Sequence, residues 1–237
     1  QSKQPLEVIR FSPEGEIPLA PDLNVTFSQP MVAVTSHADS IATGVPVRLA
    51  PQPKGQWRWV GTKTLLFESD QRFPMATEYR VEVPAGTKSA TGATLAATKS
   101  WTFKTPPPVL QASYPNQGPQ RRDPLMFAAF DQDIDPEAVL ETIRIRAGAS
   151  AWRLRLATRD EIAADRIIQQ LSLAATKNRW LAFRVVDNAG NPMKLPADTD
   201  VNVLIEAGTP SAEGPIKTAK SQQFSFRTYG AFRVVEH

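Results

Sequence analysis

Short segments with alternating apolar and polar residues dominate this sequence and restrict the folds open to it. Examples are residues 23–27 (LNVTF), 79–83 (YRVEV) and 101–103 (WTF), which are rich in β-branched and aromatic side chains. Pro, Gly, Asn or Asp residues bound such segments, and these residues form turns or end strands. Short strands separated by turns predict an all-β chain of antiparallel β-sandwich domains.

The chain also repeats itself. Residues 25–31 (VTFSQPM) match residues 128–134 (AAFDQDI), and residues 101–105 (WTFKT) match residues 224–228 (FSFRT). The spacing is 103 between Phe27 and Phe130, and it grows to 123 between Phe103 and Phe226. Two tandem sandwich modules are therefore predicted, and the second carries an insertion of about 20 residues, which is the growth in spacing.

Three prolines mark the boundary between the modules. Residues 105–108 (TPPP) predict a short, stiff spacer, which gives module one as residues 1–106 and module two as residues 107–230. The insertion is predicted to form a helix near residues 159–171, because Thr158 and Glu161 have the spacing of a capping box and apolar residues follow at helical spacing.

The last residues resemble the starts of the two modules. Residues 231–237 (AFRVVEH) are similar to residues 5–10 (PLEVIR) and 108–111 (PVLQ). They are interpreted as the start of a truncated next module, so the chain is expected to be a piece of a longer modular protein.

Composition removes several classes of function. The 237 residues include no cysteine and two histidines, which argues against disulfide scaffolds, cysteine-ligated metals and thiol nucleophiles. The net charge of +3 is too small to indicate nucleic-acid binding. Arginines at alternate positions are interpreted as one solvated strand face: Arg144, Arg146, Arg153 and Arg155. No stretch reaches the roughly 18 apolar residues of a membrane span.

Asp131, Asp133 and Asp135 have the spacing that opens a calcium-binding loop. Pro136 stands where such a loop needs glycine, so no metal site is predicted. Asp135 is instead expected to cap a helical turn that starts at Pro136 and has Glu137 in its first turn.

No catalytic, cofactor-binding or metal-binding residues are predicted, and the chain is not expected to be an enzyme. His37 lies among residues 35–40 (TSHADS), which contain the residue types of a hydrolytic triad, but neighbouring residues on one loop do not form such a relay. Trp57 and Trp59 share one face of a strand. They are interpreted as sandwich core, with an exposed contact surface as the alternative.

Several segments, taken in order, carry a family resemblance. Residues 25–31 and 130–139 (FDQDIDPEAV) resemble the Phe-Ser-x-Pro-Met-Asp-Pro signature of bacterial immunoglobulin-like modules, although module one lacks the Asp-Pro step after Met31. With residues 73–79 (FPMATEY) and 101–108 (WTFKTPPP), the whole chain resembles the N-terminal region of a bacterial alpha-2-macroglobulin.

The resemblance implies a function for the parent protein. Members of that family are periplasmic lipoproteins of the inner membrane that inhibit proteases by trapping them, many with a thioester. It implies that this chain is a non-catalytic scaffold fragment, with the lipid anchor upstream and any thioester outside it. The expected partners are the remaining domains of the parent chain and the trapped proteases, with no nucleic acid and no cofactor.

Two alternatives remain open at this point. One is an immunoglobulin-like adhesin or carbohydrate-binding segment that would use Trp57 and Trp59 as its contact surface. The other is an accessory sandwich domain of a hydrolase.

Overall fold

A computed structural model describes residues 4–33, 42, 44–148 and 151–230 of the chain. The chain forms two compact units, unit 1 (residues 1–106) and unit 2 (residues 107–237), and the predicted module boundary lies at the same place. The loop around His37 and the proposed module start at residues 231–237 lie outside the described residues.

Within its described residues, unit 1 has eight strands in two four-stranded sheets. One sheet has the order β1-β3-β6-β5 and the other has the order β2-β8-β7-β4. All neighbouring strands are antiparallel except β2 and β8, which are parallel. The strands are β1 (Val8–Ser12), β2 (Gly15–Glu16), β3 (Asp22–Phe27), β4 (Arg48–Ala50), β5 (Gly55–Val60), β6 (Thr64–Ser69), β7 (Glu78–Val83) and β8 (Lys99–Lys104).

The described part of unit 2 has eight equivalent strands in the same arrangement. Its sheets have the orders β9-β11-β14-β13 and β10-β16-β15-β12, and its first short strand is again parallel to its last strand. The strands are β9 (Leu110–Tyr114), β10 (Pro119–Gln120), β11 (Met126–Phe130), β12 (Ile143–Arg146), β13 (Arg153–Leu156), β14 (Trp180–Val186), β15 (Asp200–Ile205) and β16 (Gln222–Thr228). The helices are α1 (Pro136–Leu140), α2 (Arg159–Ala164) and α3 (Arg166–Ala174).

The predicted alternation forms the core of each sandwich. On β3, Leu23, Val25 and Phe27 are fully buried, while the intervening residues face outward. On β15, Val201, Val203 and Ile205 are also fully buried. Each unit therefore has its own core between its two sheets, as expected for a β-sandwich.

The two units also share a hydrogen-bond arrangement around a buried threonine. In unit 1, the Thr105 hydroxyl donates to the carbonyl of Pro74 at 2.9 Å and accepts from the backbone N–H of Thr77 at 3.2 Å. In unit 2, the Thr228 hydroxyl donates to the carbonyl of Pro196 at 2.7 Å and accepts from the backbone N–H of Thr199 at 3.0 Å. The arrangement attaches the end of the last strand to the start of the preceding strand in both repeats.

The insertion joins β13 to β14 and differs in one respect from the predicted helix. It contains two short helices, α2 and α3, because the chain becomes extended at Asp165, which ends α2 and caps α3. The capping box of Thr158 and Glu161 at the start of α2 is confirmed. The N-cap role of Asp135 at α1 is confirmed as well.

Candidate functional site

The structure does not support Trp57 and Trp59 as an exposed contact pair. Trp57 is 7% exposed and packs edge-on against Phe67, with 5.0 Å between ring centroids. Trp59 is half-buried and lies 6.3 Å from Phe27. Because Trp57 belongs to the core, the pair cannot offer two aromatic faces to a ligand. The alternative of an exposed contact surface is therefore wrong for this pair.

The arginines at alternate positions do not form one face. Arg144 and Arg146 lie on β12, whereas Arg153 and Arg155 lie on β13, which belongs to the opposite sheet. The chain passes from one sheet to the other between β12 and β13. A single period-two alternation therefore does not run through all four arginines. Arg144 pairs with Glu206 and Arg155 pairs with Glu161.

The three aspartates of the calcium-like spacing have separate structural roles. Asp131 accepts from the backbone N–H of Val109 at 3.0 Å, and Asp133 pairs with Arg179 at 3.0 Å. Asp135 caps α1. Within the described residues, no group of three or more His, Cys, Asp or Glu side chains is placed to hold a metal ion.

The insertion is the most distinctive feature of either unit, and its docking surface is the candidate functional site. The helices α2 and α3 cover the outer face of the sheet that contains β11 and β14. A second small core forms there, built from Leu125, Phe127, Ile168 and Ala182. Phe127 also stacks on Trp180, with ring centroids 5.5 Å apart.

One carboxylate connects the insertion to the sheet. Arg155 and Arg184 lie directly opposite each other on β13 and β14, where two like charges repel. Glu161 accepts two hydrogen bonds from Arg155, at 2.7 and 2.8 Å, and one from Arg184 at 2.9 Å. It also accepts from the backbone N–H of Thr158 at 2.8 Å.

The electrostatic state of this group follows from its partners. The hydrogen bonds from Arg155, with further ones from Thr158 and Arg184, lower the pKa of Glu161 from 4.5 to about 2. The same contact raises the pKa of Arg155. Glu161 is therefore held as a carboxylate, in a structural role.

Two depressions border α2. One is a cleft of about 420 Å³ beside β9 and β14, with Tyr114, Asp123, Asp165 and Arg184 among its lining residues. The other is a groove of about 290 Å³ whose wall includes Ile162 and Trp180. The helix α2 thus separates a charged depression from a mostly apolar one.

The other shifted ionisable pairs also favour the charged forms. Hydrogen bonding to Arg58 lowers the pKa of Glu68, and hydrogen bonding to Glu16 raises the pKa of Lys104. Arg227 has a raised pKa because it binds Asp200 and Asp198. A general acid or base would instead need a pKa shifted toward the working pH, so these groups serve as ion pairs.

The sequence contains part of the signal for this site. It identified Glu161 as a helix-capping residue and Arg155 as an outward residue of a strand. It gave no sign of Arg184, because residues 161 and 184 are far apart in the chain and no local pattern links them.

No helix among the described residues has the length and apolar character needed to cross a membrane.

The fold of the chain is all-β and immunoglobulin-like. The bacterial Ig-like domain family matches residues 2–105, which is nearly all of unit 1. No match was found among curated protein sequences.

Similar solved structures share little sequence with the chain. An L,D-transpeptidase from Mycobacterium tuberculosis is 15% identical with a TM-score of 0.26, over 65% of this chain and 59% of that chain. Native alpha-2-macroglobulin from Escherichia coli, spanning domains MG0-NIE-MG1, is 13% identical with a TM-score of 0.30, over 94% of this chain and 72% of that chain. The N-terminal part of the bacterial S-layer protein SbsC is 10% identical with a TM-score of 0.26, over 94% and 44%. At these TM-scores the likenesses carry no argument about function.

Proposed function

We propose that this chain is a non-catalytic scaffold segment of a bacterial alpha-2-macroglobulin-like protease inhibitor. The observation that carries the scaffold role is the repeat: one eight-stranded sandwich is built twice, with the same strand order and the same buried threonine contacts. The order of sequence motifs supports the family. The ion pairs with shifted pKa values connect strands, helices and turns, as expected of a rigid support.

In this proposal, the parts of the parent protein that anchor it and trap proteases lie outside this chain. A lipid anchor upstream would hold it at the periplasmic face of the inner membrane, and the segment that proteases cleave would lie downstream. The partners of this chain are then the other domains of its parent, and the trapped protease is a partner of the whole protein.

Protease assays on two proteins test the proposal. The 237-residue chain and the product of its complete reading frame are each mixed with trypsin or subtilisin. Residual protease activity is then measured on casein and on a small chromogenic peptide. We expect the complete protein to reduce casein cleavage much more than peptide cleavage, because a trapped protease still admits small substrates, and we expect the isolated chain to change neither.

Each part of the proposal can fail separately. Stoichiometric inhibition or substrate hydrolysis by the isolated chain would refute the scaffold role. A complete protein that leaves casein cleavage unchanged would refute the family assignment and leave the scaffold role standing. The adhesin alternative depended on an exposed Trp57, and its 7% exposure removes that support.

A further inference from the structure

We propose that the α2–α3 insertion is a hinged lid that opens as a unit while the sandwich beneath it stays folded, and that Glu161 is its latch. Opening exposes the apolar outer face of the β11–β14 sheet. The inference concerns the fold of unit 2 alone and does not depend on the identity of the parent protein.

The sandwich does not need the insertion to close. In unit 1, the equivalent strands β5 and β6 are joined by the three residues 61–63, whereas residues 157–179 join β13 and β14 in unit 2. Both pairs of strands are antiparallel and lie at the same place in the same strand order. The insertion is therefore an addition to a complete sandwich.

The insertion contributes one fully buried side chain to the small core beneath it, and Ile162, Leu171 and Ala175 pack there only partly buried. No side chain of α2 is buried, and Ile168 is the one buried side chain of α3. Leu173 is 81% exposed and Ile167 is 46% exposed. Segments with few buried apolar contacts open at a lower free energy than the cores to which they are attached.

The side-chain hydrogen bonds between the two helices and the sandwich are concentrated at Glu161. Glu161 closes the capping box of α2 and also binds one arginine from each of two strands. Its side chain is 20% exposed and that of Arg184 is 12% exposed, so solvent screens this pair only in part. Removal of the Glu161 charge frees the insertion and leaves two facing arginines without their shared partner.

Both ends of the insertion are fixed to the sandwich. The N–H of Ala157 donates to the carbonyl of Ala182 at 2.8 Å. At the other end, Arg179 pairs with Asp133 and donates to the carbonyl of Asp131 at 3.0 Å. In the proposed opening, the segment between these points moves away from the sheet while its two ends stay attached to the sandwich.

The covered face is unlike its counterpart in unit 1. Three polar positions on this face of unit 1 are apolar in unit 2, as the strand registers show. Asp22, Asn24 and Thr64 of unit 1 correspond to Leu125, Phe127 and Trp180 of unit 2, in that order. Unit 1 can therefore expose this face to water, whereas unit 2 exposes an apolar surface when the lid opens.

Hydrogen exchange of the whole 237-residue chain tests the lid directly. Exchange is measured in the unaltered chain at increasing urea concentrations. The opening free energy for amides of residues 159–174 should depend weakly on urea, because only the insertion opens. The opening free energy for amides of β15 should depend strongly on urea, because their exchange requires unfolding of the sandwich. E161Q should raise the exchange rates of residues 159–174 about 10- to 100-fold and leave β15 unchanged. I168A should raise exchange in the same segment by weakening its packing.

A matched variant in unit 1 provides the control. Glu68 occupies the position of Arg184 and pairs with Arg58 at 2.7 Å, so E68Q removes one strand-bound ion pair without touching the lid. It should leave exchange of residues 159–174 unchanged. Equal urea dependence for the insertion and β15 in the unaltered chain would overturn the lid. An E161Q effect spread evenly over unit 2 would overturn the latch.

Discussion

Unit 1 and unit 2 share a strand order but treat the outer face of one sheet differently. In unit 1, Asn24 and Thr26 face outward on β3, and the Thr26 hydroxyl lies 3.0 Å from that of Thr64. In unit 2, Phe127 and Ala129 occupy the same positions and pack beneath the insertion. The interior of a sandwich thus fixes its topology, while its outer face decides whether another layer can be added.

Exchange of one outer-face residue between the units gives the largest expected effect. Phe127→Asn places the residue of unit 1 at a position that is 1% exposed. It should cost unit 2 about 4 kcal/mol, because it removes a buried ring and buries an amide. The reciprocal Asn24→Phe should change the stability of unit 1 by less than about 1 kcal/mol, because its position is partly exposed.

Urea unfolding, with hydrogen exchange as the probe of each unit, measures the change in stability caused by each substitution. Similar losses from the two exchanges would show that the outer faces are equivalent and would contradict the comparison.

Acid should affect the two units unequally. The pKa of Glu161 is about 2 in the folded chain and 4.5 in the reference state, so its pairing stabilises unit 2 fully above about pH 5. That contribution, up to about 3 kcal/mol, is lost as the pH falls toward 2. Urea midpoints at pH 6, 4 and 3 should fall in the unaltered chain, and E161Q should remove this part of the decrease. An unchanged pH dependence in E161Q would show that other groups cause it.

The shared threonine contact should matter equally in both units. Thr105→Val or Thr228→Val removes a hydroxyl from a residue that is 1% exposed and leaves a backbone N–H and a carbonyl with one partner fewer. Each should cost about 2 kcal/mol of its own unit's unfolding free energy. The matched Thr→Ser variants keep the hydroxyl and should cost less than the valine variants. Costs that differ between the units by more than about 1 kcal/mol would show that the repeat does not extend to this contact.

The smallest expected effect is at the short β5–β6 turn. Gly61 has φ +66°, and a Cβ added there would meet no atom within 4 Å, so Ala fits sterically but strains the backbone. Gly61→Ala should cost unit 1 about 1 kcal/mol, and Gly61→Asn should cost less because Asn tolerates this conformation. Thermal unfolding of the three chains gives the comparison. Equal stability in Gly61→Ala would mean that the turn adopts another backbone conformation in solution.

Much of the fold could be predicted from local patterns. The repeat of Phe103 at Phe226 is visible when two short stretches of sequence are compared. The alternation on β3 and β15 and the capping box at Thr158 each lie within a single short stretch. Each depends on contacts between residues close in the chain or on a period-two pattern. The break at Asp165 was missed, because the apolar stripe continues across it and hides the second cap.

Local sequence patterns predict several of the strands, the repeat, the point in the chain where the insertion occurs and the capping of its first helix. Which face of the sheet the insertion covers and which arginines Glu161 binds emerge only in the folded structure. The folded structure also placed Trp57 in the core and divided the four arginines between two sheets. Distance along the chain accounts for this difference, because turns and periodicity are local, whereas the contact between Glu161 and Arg184 forms only when the strands have paired.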